Sequence, residues 1–243
     1  MKKNLIEIFS SIQGEGKYVG CRQVFVRFEG CNLDCSFCDT ENTPGSHKSC
    51  EVETYAGSRE FATLPNPRSA EQVAMEINRL CQEVPHQAVS FTGGEPLLHA
   101  EFIREVAEAV HVPVFLETNG TLYKELASIM DVADIISMDI KLPSIISRPQ
   151  WKEHRKFIEI AKTKDLYIKL VVAEETTEEE FRQAIDLVAE TAPETLFIIQ
   201  PVTPYGGCKA ASPEKILICQ NYALTKLKDV RVIPQTHKMI GQI

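Results

Sequence analysis

The chain has 243 residues, 44% of them apolar and 25% charged, which is the balance of a globular protein with one sizeable core. Twenty-six basic residues against thirty-four acidic ones give a formal charge of −8, which argues against broad binding to nucleic acid or an anionic membrane. No run approaches the ~20 apolar residues that span a bilayer. The opening MKKNLIEIFSSIQGEG has no apolar stretch long enough for a secretory signal, so a cytoplasmic protein is expected, in a compartment where disulfides are rare.

Residues 4–9 are short and apolar and predict a strand. Gln13-Gly14-Glu15-Gly16 then breaks the pattern twice. It is either an ordinary turn or a loop whose backbone comes close to a ligand. Residues 24–28, Val-Phe-Val-Arg-Phe, predict a second strand. Arg27 interrupts it, and is either paired inside or solvated on an outer face.

Gly30 ends that strand, and Cys31, Cys35 and Cys38 follow in the pattern C-x3-C-x2-C. Thiols this close in sequence can share one metal centre, and thiolates suit zinc or iron–sulfur. A closed structural zinc site needs four protein ligands. No fourth cysteine stands at a short partner spacing. A [4Fe–4S] cluster on three thiolates instead keeps one iron open to a small molecule. Of the remaining cysteines, Cys81 and Cys219 sit on apolar helix faces and are expected in the core. Cys21 and Cys208 fall in glycine-containing loops and Cys50 in a polar loop.

Residues 41–68 are polar, rich in Pro, Gly, Ser and Thr, and without a period, which predicts a long loop or a small insertion. From Ser69 the helical spacing is clear. Ser69 and Gln72 form a capping-box pattern, and Val73, Ala74, Ile77, Leu80, Cys81 and Val84 recur on one face. A strand at 88–91 follows, and the unit repeats. Helices at 97–110, 121–130, 150–164, 177–191 and 213–227 alternate with strands at 113–117, 134–138, 166–172, 196–200 and 230–233.

Such alternation predicts an α/β protein with parallel strands, closed as a barrel or open as a doubly wound sheet. No G-x-G-x-x-G follows the first strand, which lowers the dinucleotide-binding reading. Six or seven strands fall short of the eight in a full (β/α)8 barrel. The expectation is an incomplete (β/α)6-type parallel barrel, a partial TIM barrel, in a single domain over residues 1–243.

Sites in such folds lie at the carboxyl ends of the strands. Those ends carry the cysteine loop, Thr92-Gly93-Gly94-Glu95-Pro96, Glu117-Thr118-Asn119-Gly120, Ser137-Met138-Asp139-Ile140-Lys141, Gln200-Pro201-Val202 and Pro234-Gln235-Thr236-His237-Lys238. Each alone is explained by turn chemistry: Pro96 starts a helix, Glu95 complements its dipole, and Asp139 pairs with Lys141 at the surface. Together they suggest one pocket facing a metal centre. His47, His86, His99, His111 and His154 have no ligand spacing and are expected to be solvated.

The cysteine triplet with Phe37 before its last member, and a Gly-Gly-Glu-Pro turn after the next strand, resemble the radical S-adenosylmethionine (SAM) superfamily. The resemblance implies that Cys31, Cys35 and Cys38 ligate a [4Fe–4S] cluster and that SAM chelates its fourth iron. It implies SAM contacts from Phe37, Cys38, Asp39, Gly94, Asn119, Ser137, Met138 and Asp139. Within the superfamily, Glu7-Ile8-Phe9, Ser11 to Gly16, Phe25-Val26-Arg27 and Cys38-Asp39-Thr40 resemble the 7-carboxy-7-deazaguanine synthases. That likeness implies the conversion of 6-carboxy-5,6,7,8-tetrahydropterin to 7-carboxy-7-deazaguanine on the route to queuosine. It places Ile12, Gln13, Gly14, Arg27 and Thr92 on the pterin and Thr40 on a Mg2+ ion. A flavodoxin or ferredoxin as reductant and a homodimer are implied by the same likeness. A glycyl-radical-enzyme activase shares the cysteine triplet, the Gly-Gly-Glu-Pro turn and the Asp-x-Lys strand end. The Gln13–Gly16 loop, Arg27 and Thr40 argue against it.

Overall fold

The computed structural model describes residues 1–36, 38 and 43–242. The strands are β1 (Lys2–Lys3), β2 (Leu5–Ile12), β3 (Arg22–Phe28), β4 (Ser49–Glu53), β5 (Phe61–Pro65), β6 (Arg68–Ser69), β7 (Ala88–Gly93), β8 (Val114–Thr118), β9 (Ile135–Ile140), β10 (Asp165–Val172), β11 (Leu196–Pro201) and β12 (Val230–Val232). The helices are α1 (Ala70–Glu83), α2 (Ala100–Ala107), α3 (Tyr123–Ile129), α4 (Pro143–Ile146), α5 (Trp151–Ala161), α6 (Glu178–Thr191), α7 (Pro213–Leu224) and α8 (Thr236–Met239).

Ten strands make one sheet in the order β12-β11-β10-β9-β8-β7-β3-β2-β4-β5. From β3 through β12 the neighbours run parallel, as the strand–helix alternation requires. β2 runs antiparallel to β3, parallel to β4, and β4 pairs antiparallel with β5. The sheet does not close on itself: β12 and β5 are its two ends. This is the expected partial barrel with three further strands on one side.

Helix starts follow their capping signals. Ser69 accepts the Gln72 amide at 3.3 Å while the Gln72 side chain accepts the Ser69 amide at 2.9 Å, closing the capping box of α1. Thr177 and Glu180 do the same for α6. The predicted 97–110 helix begins later, because Pro96–His99 form a 3-10 turn before α2.

The period of two along each strand separates two interiors. Val89, Phe91, Leu116, Ile136, Ile168, Leu170, Phe197 and Ile199 face outward into the large core under the helices. The alternate residues Ala88, Phe115, Ile135, Tyr167, Leu196 and Ile198 face inward and form a second, smaller cluster, joined by Tyr18 and Ile233. That cluster plugs the barrel at the amino ends of its strands. Burying a side chain such as Phe115 there stabilises the fold by about 1.5–3 kcal/mol. Two residues further along the same strands the inward positions become polar: Ser90, Glu117, Ser137, Lys169 and Gln200. The plug is therefore the floor of a polar cavity.

Several expectations change. Residues 41–68 contain an antiparallel hairpin, β4–β5, and Cys50 is a fully buried member of β4 rather than part of a polar loop. His154 is fully buried, and its Nε2 lies 3.2 Å from the Asn119 carbonyl. His99 stacks on Phe28 with ring centroids 4.8 Å apart, and His86 meets the Ser10 hydroxyl at 2.6 Å. His47 is half-buried, and His111 is exposed as expected. No described helix is long and apolar enough to cross a membrane.

Candidate active site

A cavity of about 620 Å³ opens at the carboxyl ends of the barrel strands. Cys31, Cys35 and Cys38 line it. Gly30, at a φ of +90°, turns the chain out of β3 into the cysteine loop, a conformation that favours glycine. The loop is fastened at several points. Glu95 donates its amide to Gly30 at 2.9 Å, Ser36 donates to Ile145 at 3.2 Å, and the Asn32 amide reaches the Thr121 hydroxyl at 2.9 Å.

The donor set fits an iron–sulfur cluster. Two N–H groups aim at the Cys31 sulfur, from Leu33 at 3.4 Å and from the Asn119 side chain at 3.9 Å, and such bonds tune cluster thiolates. Burial pushes the Cys31 and Cys35 thiols up, and the positive charge of Lys141 works against that rise. Among the described residues, no three His, Cys, Asp or Glu side chains converge as ligands of a single ion.

Gly94, Asn119, Ser137 and Asp139 line the same cavity. Gly93 lets the strand end approach: its φ is +120°, and a Cβ there would lie 2.3 Å from the Phe28 carbonyl oxygen. Glu95 is not a surface partner of a helix dipole. It is fully buried and accepts from the Thr118 hydroxyl at 2.7 Å, the Asn119 amide at 2.8 Å and the Leu97 amide at 3.1 Å. Burial pushes its carboxyl up to about 7 against those donors. Asp139 pairs with Lys141 at 3.2 Å on the cavity wall, not at the surface. Met138 faces the other way, into the helix-side core, where a Cβ on Gly120 would meet its methyl at 2.5 Å. The Met138 side chain is thus not on the cavity wall, unlike those of Ser137 and Asp139. Phe37, Asp39 and Thr40 lie outside the described residues.

Ile12, Gln13, Gly14, Arg27 and Thr92 also line the cavity. Arg27 is paired: its Nε donates to Glu7 at 2.6 Å, and its guanidinium lies 5.9 Å from the Phe9 ring centre. Of the two readings of Arg27, the paired one holds. Gln13 donates to Glu117 at 3.0 Å and to Gln23 at 3.1 Å, while Thr92 donates to the other Glu117 oxygen at 2.9 Å.

Below them lies a charged network that sequence reasoning left without a role. Lys169, 3% exposed, donates to Glu15 at 2.5 Å and lies 3.8 Å from Asp139. Gln235 donates to the other Glu15 oxygen at 2.6 Å. Burial would raise the Glu15 carboxyl, but the Lys169 ammonium, the Gln235 hydrogen bond and the charge of His237 together outweigh it and hold Glu15 well below the usual range. Burial pushes Glu117 up, with Lys169 opposing. The detectable signal was a lysine inside the apolar run Tyr-Ile-Lys-Leu-Val-Val, the same anomaly as Arg27 in its own strand.

A family model described as the radical SAM superfamily matches residues 25–188. The 7-carboxy-7-deazaguanine synthase of Geobacter sulfurreducens is 42% identical to this chain over 98% of it and 97% of the relative. The chain belongs to the 7-carboxy-7-deazaguanine synthase family of the radical SAM superfamily. A second synthase of that family, from Methanocaldococcus jannaschii, is 38% identical over 98% of this chain and 99% of its own length. The crystal structure of QueE from Escherichia coli superposes with a TM-score of 0.61, covering 97% of this chain and 94% of that one at 18% identity, which is a likeness of fold. For a radical SAM synthase of this family, a [4Fe–4S] cluster and SAM are the cofactors, and the three thiols of the cavity are the available anchors.

Proposed function

We infer that this chain catalyses the reaction for which its relatives are named, the formation of 7-carboxy-7-deazaguanine. The substrate is 6-carboxy-5,6,7,8-tetrahydropterin, and its ring contraction releases ammonia. The observation that carries the reading is the cavity. It brings the three cysteine thiols together with Arg27, Thr92 and Gln13 in one lining. An activase reading has no comparable support, since relatives aligned over nearly the full chain carry the synthase name.

When bound, the cluster and SAM would supply radical chemistry: with one electron from an external reductant, SAM cleavage would yield a carbon radical able to take a hydrogen atom from the substrate. The chain's own residues hold and shield. Cys31, Cys35 and Cys38 would anchor the cluster. Gly94, Asn119, Ser137 and Asp139 would contact SAM, with Lys141 beside Asp139. The Arg27 guanidinium, with its Nε held by Glu7, presents a planar fork suited to the substrate carboxylate. Gln13, Thr92 and Glu117 form a fixed set of amide, hydroxyl and carboxyl groups suited to the hydrogen-bonding edge of a pterin. The apolar floor under them keeps bulk water from entering between the strands.

The finer assignments complete the proposal. Thr40 would ligate a Mg2+ ion that also touches substrate, because a hydroxyl and a carboxylate are hard oxygen donors. A flavodoxin or ferredoxin would supply the electron in the cytoplasm, and the product would enter queuosine synthesis for tRNA modification. A homodimer is supported by the exposed apolar residues Leu217, Ile218 and Leu224 on α7.

The test is anaerobic reconstitution, followed by incubation with the carboxypterin, SAM, a reductant and Mg2+. The expected product is 7-carboxy-7-deazaguanine without net consumption of SAM. Cys35→Ala should abolish both the cluster absorbance and the product. SAM cleavage with no change in the pterin would overturn the reading.

A further inference from the structure

The side of the barrel that the sheet leaves open is bridged by the last residues of the chain. Ile233 donates its amide to Ile199 of β11 at 3.1 Å, and Thr236 donates to the Gly14 carbonyl at 2.8 Å, just beyond β2. Arg59, in the turn of the β4–β5 hairpin, donates to the Gly241 carbonyl at 3.0 Å. The segment thus runs from one end of the parallel strands to the strands on the other side. Gln235, His237, Lys238 and Gln242 line the cavity along the way.

What fastens this segment from inside is the Lys169 network. Glu15 accepts from Lys169 through one oxygen and from Gln235 through the other. Glu15 also belongs to the loop that carries Gln13 and Gly14, and the Gln13 carbonyl oxygen of the side chain accepts the Glu15 amide at 3.0 Å. We propose that Lys169 is a positioning residue: through Glu15 and Gln235 it locks the C-terminal segment and the Gln13–Glu15 loop together around the substrate.

The geometry explains why the link is strong. An ammonium buried at the floor of the cavity cannot be left unpaired, and a carboxylate placed between it and an amide is fixed at both oxygens. Asp139 faces the same ammonium from β9, so the lock is continuous with the wall expected to touch SAM. The proposal rests on the functional reading above only for its kinetic half.

The experiment compares Lys169→Met, Lys169→Met with Glu15→Gln, Lys169→Arg and Gln235→Ala in the reconstituted protein with SAM. Amide hydrogen exchange is read over residues 234–242, and KM and kcat are read with the carboxypterin. Losing a hydrogen bond to a charged group should speed exchange in the segment about tenfold and raise KM about as much, with a smaller change in kcat. Glu15→Gln on the Lys169→Met background should restore both, because a neutral amide still accepts from Gln235 without a buried unpaired charge. Lys169→Arg should fall between. If Lys169→Met does not fold, Gln235→Ala decides, since it cuts the same link at its outer end. Parent-like exchange in a folded single variant overturns the proposal, as does a failure of the second substitution to restore it. A parent protein that binds SAM but leaves the pterin unchanged defeats the functional reading alone, and the exchange data still decide this one.

Discussion

Asn119 is held by Glu95 through its backbone: the Glu95 carboxyl accepts the Asn119 amide at 2.8 Å. The same carboxyl takes the Thr118 hydroxyl at 2.7 Å, so the end of β8 hangs on the turn that follows β7. The Asn119 side chain is thereby aimed at the Cys31 sulfur and at Asn32. Glu95→Ala would leave three donors without their acceptor and cost about 3 kcal/mol or more. Urea unfolding should show that loss, and calorimetry should show weaker SAM binding in the reconstituted variant. Unchanged stability would mean that this strut bears no load.

The other backbone group of Asn119 meets His154. Burial holds that imidazole at about 4, below the ordinary 6.5. A group with a depressed folded value binds its proton more tightly when unfolded. Its contribution is therefore present above pH 6.5 and is lost as the pH falls through about 4, amounting to about 3 kcal/mol in full. Unfolding free energies of the parent and of His154→Gln, measured from pH 7 to pH 4, should converge as the pH falls. Parallel curves would remove His154 as the cause of acid sensitivity.

Gly93 is a position where no side chain is tolerated. Its φ of +120° is strained for any L residue, and the atoms that a Cβ would meet are backbone atoms of Phe28, which cannot swing away. Gly93→Ala is expected to separate the ends of β3 and β7, with a lower thermal midpoint and loss of cluster retention after reconstitution. Iron content and circular dichroism on the same sample would check it.

Arg27→Lys tests the substrate side. A lysine keeps the charge but cannot hold Glu7 and offer a planar fork at the same time. KM for the carboxypterin should rise about tenfold or more, as expected for a lost bidentate charge-assisted contact, while the cluster spectrum stays as in the parent. Equal KM values would move the carboxylate site elsewhere in the cavity.

Much of this protein is legible in its sequence, because periodicity and spacing are local. Strand–helix alternation predicted the parallel sheet, and the cysteine spacing with the Gly-Gly-Glu-Pro turn pointed to the superfamily. The hairpin within residues 41–68 was missed, since Cys50 and Val52 alternate over too few residues among polar ones to declare a strand. The burial of His154 is not legible in the sequence, because one histidine on a helix carries no sign of which face is covered.

What the linear order of residues determined by itself was the set of elements and the chemistry available at the strand ends. What only the tertiary structure decided was which charges face each other. Glu15 and Lys169 are 154 positions apart, and Glu15 and Gln235 are 220 apart. Curling the sheet turns every second strand residue toward a common axis, and the interior it creates then obliges buried charges to find partners across the chain.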